Sequence, residues 1–307
     1  MKKILIISLL TALVSFSCTD NLSDKEETEN RQMNLKSAAV YSDRQNPGRG
    51  TLSEFTDGDT IGLYLPEYYF GSQFLFAAHN YYWWELSSTV LLPIHPVRLQ
   101  AFYPYRHNDH VNLKDNYNGY IDVDHDSQAD YMYGGPIDGS VSWSEPDVFL
   151  LMKHAMALVQ FRFIKNGYYG EGSIQKISVR NADGIRHMHS RGRMSVETGE
   201  IEPLEEYYDE ACIMPENMQI PDIYSNEKEY VRILIIPTQR TKLSGDLIFE
   251  FTIDGRIYTC PIGPGCRWEK GMQYTYEVEM VALNRSSKSV SSTRDIKVVL
   301  TETGKRL

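Results

Sequence analysis

Four aspartates and one histidine in a single stretch have the clearest potential for chemistry: Asp122, Asp124, His125, Asp126 and Asp130. Closely spaced carboxylates supply the oxygen ligands that Ca²⁺ prefers. An EF-hand loop, however, needs glycine at its sixth position and glutamate at its twelfth, where this chain has Ser127 and Tyr133. The EF-hand motif is therefore absent, which leaves a calcium loop of another kind or a solvated acidic loop.

A second pair of candidate ligands is His187 and His189, which share one face of a strand because they lie two residues apart. Two imidazoles on one face can bind a transition metal. Three arginines surround them, Arg186, Arg191 and Arg193, and their charges repel a cation. The sequence therefore predicts neither a bound metal nor a cofactor.

The composition argues against catalysis and against nucleic-acid binding. The chain contains no nucleophile elbow, no Walker loop and no H-E-x-x-H motif. Its formal net charge is −10 over 307 residues, and it has no basic stripe that would contact phosphates. We therefore expect a non-enzymatic protein without a nucleic-acid partner.

The N-terminus has the composition of an export signal. Lys2 and Lys3 precede an apolar segment at 4–14, which is too short to span a bilayer. Small residues then lead to Cys18, a pattern that resembles a bacterial lipoprotein signal. That resemblance implies removal of residues 1–17 and acylation of Cys18, which anchors the protein in the membrane. The alternative is a free cysteine inside an ordinary secretory signal.

Three further cysteines remain: Cys212, Cys260 and Cys266. Residues 261–265 form a proline- and glycine-rich turn that brings the last two within possible bridging range. An odd number of thiols in an oxidising compartment leaves at least one unpaired. The sequence leaves the disulfide between Cys260 and Cys266 open.

The stretch at 149–164 organises the rest of the chain. Apolar residues alternate along it, so we predict one long buried strand. About fourteen short strands on either side of this pivot, separated by turn residues, favour an all-β fold of two β-sandwiches. We expect one domain at 51–147 and the other at 148–284.

Residues 18–50 are polar and contain an acidic run at 24–29, which is typical of a solvated linker. Behind a lipidated cysteine, the run also resembles the surface-export tether of Bacteroidetes lipoproteins. The only strand predicted in this segment is at 38–41. Arg31, Arg44 and Arg49 are expected to be exposed, as protease sites require.

The C-terminal segment at 285–307 begins as a polar linker and then alternates again. Ile296, Val298 and Leu300 form the apolar face of a predicted strand at 293–301. A strand outside a complete sandwich must pair with an edge, either its own or that of a neighbouring molecule.

Together these features resemble the fimbrillins, the type V pilus subunits of the Bacteroidetes. The stretches that carry the resemblance include the G-D-x-I-G-L-Y sequence that starts at Gly58, and they lie at 15–18, 55–64, 101–105, 154–159, 192–199 and 268–276. The resemblance implies two tandem transthyretin-like β-sandwich domains, a lipoprotein precursor in the outer membrane, cleavage at an arginine and polymerisation with other fimbrial subunits by strand exchange.

This mechanism predicts a role for both ends of the chain. Removal of an N-terminal strand that contains Ala39 and Tyr41 would open a groove with unpaired backbone groups. The C-terminal strand of another subunit would fill the groove by β-augmentation, with Ile296, Val298 and Leu300 as anchors. Arg44 and then Arg49 are the predicted cleavage sites because they follow the strand, whereas Arg31 precedes it. The alternative is that all three arginines are ordinary linker charges.

A second hypothesis is a surface glycan-binding lipoprotein of the outer membrane. Its aromatic platform would come from six candidate residues: Tyr68, Tyr69, Tyr81, Tyr82, Trp83 and Trp84. Alternation along a strand places about half of them in the core. Deletion of the C-terminal strand separates the hypotheses, because only a pilus subunit needs it. The position in the pilus (stalk, tip or anchor) and any host or bacterial surface ligand remain open.

Overall fold

The computed structural model describes residues 31–41, 52–68, 71–106, 119–216, 218–222, 224, 229–282 and 296–306. Only the backbone is described for Gly71 and for residues 296–306. The described residues contain eighteen strands and no helix, so the predicted all-β class is confirmed. It follows that this part of the chain has no helix of the length and apolar character needed to cross a membrane.

The strands follow in chain order. The first nine are β1 (Asn34–Val40), β2 (Thr60–Tyr68), β3 (Gly71–Asn80), β4 (Trp83–Leu86), β5 (Gln100–Tyr103), β6 (Tyr120–Asp124), β7 (Met132–Pro136), β8 (Asp147–His154) and β9 (Ala157–Asn166). The other nine are β10 (Ile174–Asn181), β11 (Arg191–Ser195), β12 (Ile201–Pro203), β13 (Ala211–Ile213), β14 (Val231–Ile235), β15 (Leu247–Ile253), β16 (Arg256–Pro261), β17 (Met272–Ala282) and β18 (Ile296–Arg306).

The first half of the chain forms a seven-stranded sheet in the order β1-β8-β7-β5-β2-β3-β4. Its central strand β2 shows why these residues form a sheet. Ile61, Leu63 and Leu65 alternate along it and are fully buried, which is the two-residue period of a strand that faces a core. The apolar face of this sheet packs on the segments at 90–99 and 141–143.

The second half contains two four-stranded sheets that share one core. Their orders are β13-β10-β15-β16 and β14-β9-β17-β18. Aromatic side chains from both sheets meet between them. The rings of Phe161 on β9 and Phe249 on β15 lie 4.9 Å apart at 90°, an edge-to-face contact. This is the packing of a β-sandwich.

A three-stranded sheet, in the order β12-β11-β6, joins the halves. Strand β6 comes from the first half of the chain and pairs along its length with β11 from the second. A third apolar cluster lies beside it and includes Phe102, Tyr131 and Met194, which are fully buried. The β11–β12 hairpin closes at Gly199. Its φ is 68°, and a Cβ there would meet the ring of Tyr133 at 2.1 Å.

The single long strand predicted at 149–164 is wrong. The chain forms β8 and β9 there, and these strands belong to different sheets. Ala155 N donates to Tyr131 O in the first half (2.8 Å), whereas Met156 O accepts from Gly271 N in the second (3.0 Å). Residues 154–161 are buried without interruption, so the apolar pattern carries no mark of the change of sheet. The chain passes from one sheet to the other at Ala155 and Met156, which is later in the chain than the domain boundary predicted between residues 147 and 148.

No disulfide joins the three described cysteines, Cys212, Cys260 and Cys266. Cys260 is buried, and burial raises the pKa of its thiol to about 11, which keeps it protonated. Cys212 is exposed, and Cys266 is half-buried. The bridge between Cys260 and Cys266 that the sequence left open is therefore not formed in this structure.

Candidate strand-exchange site

Strand β1 lies at one edge of the seven-stranded sheet and pairs in parallel with β8. The register aligns Ala38 with Leu150 and Val40 with Met152. Backbone hydrogen bonds continue to both ends of β1. Asn34 N donates to Pro146 O at 2.8 Å, and Tyr41 N donates to Met152 O at 2.7 Å. The predicted strand at 38–41 is thus part of a longer one that starts at Asn34.

The strongest anchors of this segment lie before the residues that sequence reasoning selected. Met33 and Leu35 are 3% and 6% exposed and belong to the core of the first half. Ala38 and Val40 pack against the same core but are only partly buried. A bulge between Leu35 and Ser37 shifts the pairing by one residue, so the inward positions change from odd to even numbers. Because of this shift, the apolar residues of β1 do not follow one continuous two-residue period. The spacing of Met33 and Leu35 alone does indicate the start of a strand.

The start of β1 is also held against the segment that follows β4. Met33 N donates to Val90 O at 2.9 Å, and Leu92 N donates to Arg31 O at 2.8 Å. The guanidinium of Arg31 lies over the ring of Trp143 at 5.2 Å, a cation–π contact. The prediction that Arg31 is exposed is therefore wrong, because the residue is half-buried and packed. The predicted lipidation site Cys18 and the predicted cleavage sites Arg44 and Arg49 lie outside the described residues.

Strand β8, the neighbour of β1 in the sheet, carries a row of buried side chains. Val148, Leu150 and Met152 alternate along β8 and are buried in the same core as Met33 and Leu35. Without β1, strand β8 would become the edge of the sheet and expose a row of unpaired N–H and C=O groups. The same loss would uncover the core where Met33 and Leu35 now lie.

At the other end of the chain, β18 forms the edge of the β14-β9-β17-β18 sheet. It pairs antiparallel with β17 along its whole length. Arg306 lies opposite Met272 at one end, and Ile296 lies opposite Ala282 at the other. The sequence allowed this strand to pair with an edge of its own molecule or with that of a neighbour. In this structure it pairs with an edge of its own molecule. The register sets Val298 opposite Met280 and Leu300 opposite Val278. Opposed residues share a face of the sheet, so positions 296, 298 and 300 fall on the face of the buried Met280 and Val278.

The acidic loop makes hydrogen bonds within the protein. Asp124 accepts from Ser127 N at 2.7 Å, and Asp130 accepts from Leu52 N at 2.7 Å and lies 3.0 Å from Nδ1 of His154. Burial raises the pKa of Asp124, but its hydrogen bonds more than offset this and leave the pKa below its usual value. In the part of the chain that the structure describes, no three His, Cys, Asp or Glu side chains are placed to hold a metal ion.

The aromatic residues of the glycan hypothesis separate into two groups. Trp84 is buried and Tyr68 is half-buried, whereas Tyr81, Tyr82 and Trp83 are exposed at the turn between β3 and β4. Tyr69 lies outside the described residues. Alternation therefore places only part of the proposed platform in the core.

Comparison with known proteins identifies the family. The model of the fimbrillin-like family matches residues 48–295, which is most of the chain. The chain belongs to the fimbrillin-like family. The resemblance noted from the sequence is therefore confirmed, and it supports a fimbrial subunit at the cell surface. The match begins after β1 and ends before β18. What is said of these two edge strands therefore depends on the geometry of this structure alone.

Solved structures show the same fold in proteins of low sequence identity to this fimbrillin. A candidate cell adhesion protein from Bacteroides uniformis is 13% identical, with a TM-score of 0.59 over 90% of this chain and 97% of that one. Another from Bacteroides ovatus is 14% identical, with a TM-score of 0.58 over 89% and 95%. At these identities the likeness concerns the fold. No curated protein sequence matches the chain.

Proposed function

We propose that this fimbrillin is a structural and adhesive subunit of a cell-surface fimbria, exported as a lipoprotein through Cys18 and assembled by strand exchange. It has no catalytic chemistry and no cofactor, and its partners are other fimbrial subunits and, through the lipid, the outer membrane. The observation that carries the proposal is that both terminal strands, β1 and β18, lie at the edges of sheets and can leave without breaking a sheet in two.

Removal of β1 is the first step of the proposed mechanism. It withdraws Met33 and Leu35 from the core, a loss of about 1.5–3 kcal/mol for each buried side chain, and it leaves β8 unpaired on one side. The resulting groove has an apolar floor and a row of free backbone groups. Such an edge binds an extended segment from another chain.

Strand β18 is the proposed donor for that groove. Ile296, Val298 and Leu300 lie on one face in its register with β17, and this spacing suits alternate pockets along a groove. Each buried anchor contributes about 1.5–3 kcal/mol, and each ladder hydrogen bond adds about 0.5–1.5 kcal/mol. Several of both give a joint between subunits that dissociates very slowly.

Cleavage after Arg44, or otherwise after Arg49, is the proposed trigger. Both residues follow β1, so a cut there separates the strand from the body of the protein. Arg31 precedes β1 and is packed on Trp143, and a cut there would leave the strand attached. The geometry therefore favours the two later arginines.

A chain that ends at Arg285 tests the donor role. It keeps β17 but lacks β18, so we expect it to fold as a monomer and to be absent from fimbriae. The measurement is the fraction of each protein in SDS-resistant polymers on the cell surface, with the full chain as control and circular dichroism as the check on folding. The donor proposal fails if the folded, shortened chain enters polymers as efficiently as the full chain.

A further inference from the structure

The seven-stranded sheet has an open seam between its two outermost strands, β1 and β4. These strands approach each other. The backbone hydrogen bonds between Met33 and Val90 and between Leu92 and Arg31 close one end of the seam. Above that closure a groove of about 670 Å³ separates residues 32–36 from residues 82–86, with Ser88 and Thr89 at its side. This volume lies within the range of small-ligand sites.

The wall on the β4 side is aromatic. Tyr82 is 90% exposed and Trp83 is 53% exposed, and both line the groove. Exposed aromatic side chains that lie next to each other in a groove offer a surface that a ligand can cover. A sugar ring presents a flat C–H face that can cover such a surface, and the ring's hydroxyl groups remain free to form hydrogen bonds.

The remaining lining supplies those hydrogen bonds. Glu85 lines the groove and can accept hydrogen bonds from hydroxyl groups, and none of the ion pairs among the described residues involves it. Across the groove, the polar side chains of β1 in the lining are Asn34 and Lys36, and both contact Asp147, at 3.2 and 3.3 Å. Asp147 neutralises the positive charge of Lys36, so the groove retains the negative charge of Glu85. This balance disfavours an anionic ligand.

The backbone that carries the aromatic wall is fixed by the residues on either side of Tyr82 and Trp83. Trp84 packs edge-on against Phe55 at 5.3 Å and lies 4.9 Å from the ring of His79. At the turn, Tyr81 has a positive φ of 51°, and its N–H donates to Oδ1 of Asp57 at 3.1 Å. Because the backbone at 81–84 is already fixed, a ligand does not have to order it on binding.

From these walls we infer that the seam between β1 and β4 is a binding site for a neutral oligosaccharide. Tyr82 and Trp83 stack on sugar rings, and Glu85 and Asn34 bind their hydroxyl groups. This role goes beyond assembly of the fimbria and belongs to the subunit before strand exchange. Because β1 forms one wall, the site exists only in a chain that keeps β1, and cleavage after Arg44 or Arg49 followed by loss of the strand removes it.

The test uses the full chain with β1 retained, as verified by mass spectrometry, and isothermal titration with four probes. Three are neutral, N-acetyllactosamine, cellohexaose and maltohexaose, and the fourth is sialylated N-acetyllactosamine. We expect at least one neutral probe to bind. Trp83→Ala and Tyr82→Ala should each weaken that binding about tenfold or more, because each removes one stacking surface. The matched control is Tyr169→Ala, which removes an exposed tyrosine elsewhere (74% exposed) and should change nothing.

Three results would overturn the inference: no binding of any neutral probe at millimolar concentration, binding that Trp83→Ala and Tyr82→Ala leave unchanged, or binding of the sialylated probe alone. A chain from which β1 has been removed should lose the interaction, which adds a second comparison. Since all binding tests use unassembled protein, failure here leaves the assembly proposal untouched, and a failed assembly test leaves this site untouched.

Discussion

Val298 and Val299 are adjacent residues of β18 with opposite expected roles. The register places Val298 opposite the buried Met280 and Val299 opposite the half-buried Glu279. We expect Val298→Asp to reduce SDS-resistant polymer about tenfold or more, because a charge at an inward position loses a buried anchor and must be desolvated. Val299→Asp is the matched control, and its polymer yield should stay within about twofold of the parent. Equal yields from the two variants would show that the face of β18 does not matter.

His125 makes the stability of the molecule depend on pH. It is fully buried, and burial lowers the pKa of its imidazole, while the carboxylates of Asp126, Asp124 and Asp209 oppose the shift only in part. The unfolded chain therefore takes up a proton near pH 6.5 that the folded chain does not yet bind, so stability falls as the pH falls through that range. One such proton gives a slope of at most about 1.4 kcal/mol per pH unit.

We expect the free energy of unfolding in urea to decrease from about pH 7.5 to about pH 5.5, and to decrease less in His125→Phe. Part of the slope should persist in that variant, because burial also lowers the pKa of His189. If His125→Phe kept the whole slope, His125 would not be its source.

At the scale of elements, the account requires β18 to leave β17. Glu279 and Val299 lie directly opposite each other in the antiparallel pair, at a separation of about 4.5–5.5 Å between Cα atoms, which a disulfide can bridge. In a Cys212→Ser background, Glu279→Cys with Val299→Cys should therefore lock the two strands together. We expect the oxidised protein to remain monomeric and to polymerise once dithiothreitol reduces the bridge.

The control for this lock is Glu277→Cys with Val299→Cys in the same background. These positions are diagonal neighbours at about 7–8 Å, beyond the reach of a disulfide, so the variant should polymerise with or without reductant. Polymerisation of the oxidised, locked protein at the parent rate would mean that β18 does not need to leave its own sheet.

Sequence patterns predicted the class of fold, but they did not predict where one strand ends and the next begins inside a fully buried stretch. Ile61, Leu63 and Leu65 do alternate along β2, and a Thr-Gly turn does close the β11–β12 hairpin. The change from β8 to β9 escaped because all residues around Ala155 and Met156 are buried, which removes the polar positions that mark a period. The bulge in β1 had a similar effect, since it moved the true anchors Met33 and Leu35 out of phase with Ala38 and Val40.

At the scale of the whole molecule, the sequence predicted the family and the class of fold because short motifs and turn signals lie in order along the chain. It did not predict which edge each terminal strand occupies. Pairing partners are set by long-range packing, and local pattern carries no information about them. For the same reason, the aromatic residues at 81–84 gave a candidate surface, but only the approach of β1 and β4 made it a groove.

The central claim is that this fimbrillin loses its N-terminal strand and joins other subunits through its C-terminal one. The most direct test is N-terminal sequencing of the protein recovered from the cell surface, together with its migration in SDS without boiling. The account predicts a new N-terminus immediately after Arg44 or Arg49 on material that runs as an SDS-resistant ladder. An acylated Cys18 on material that runs only as a monomer would contradict it.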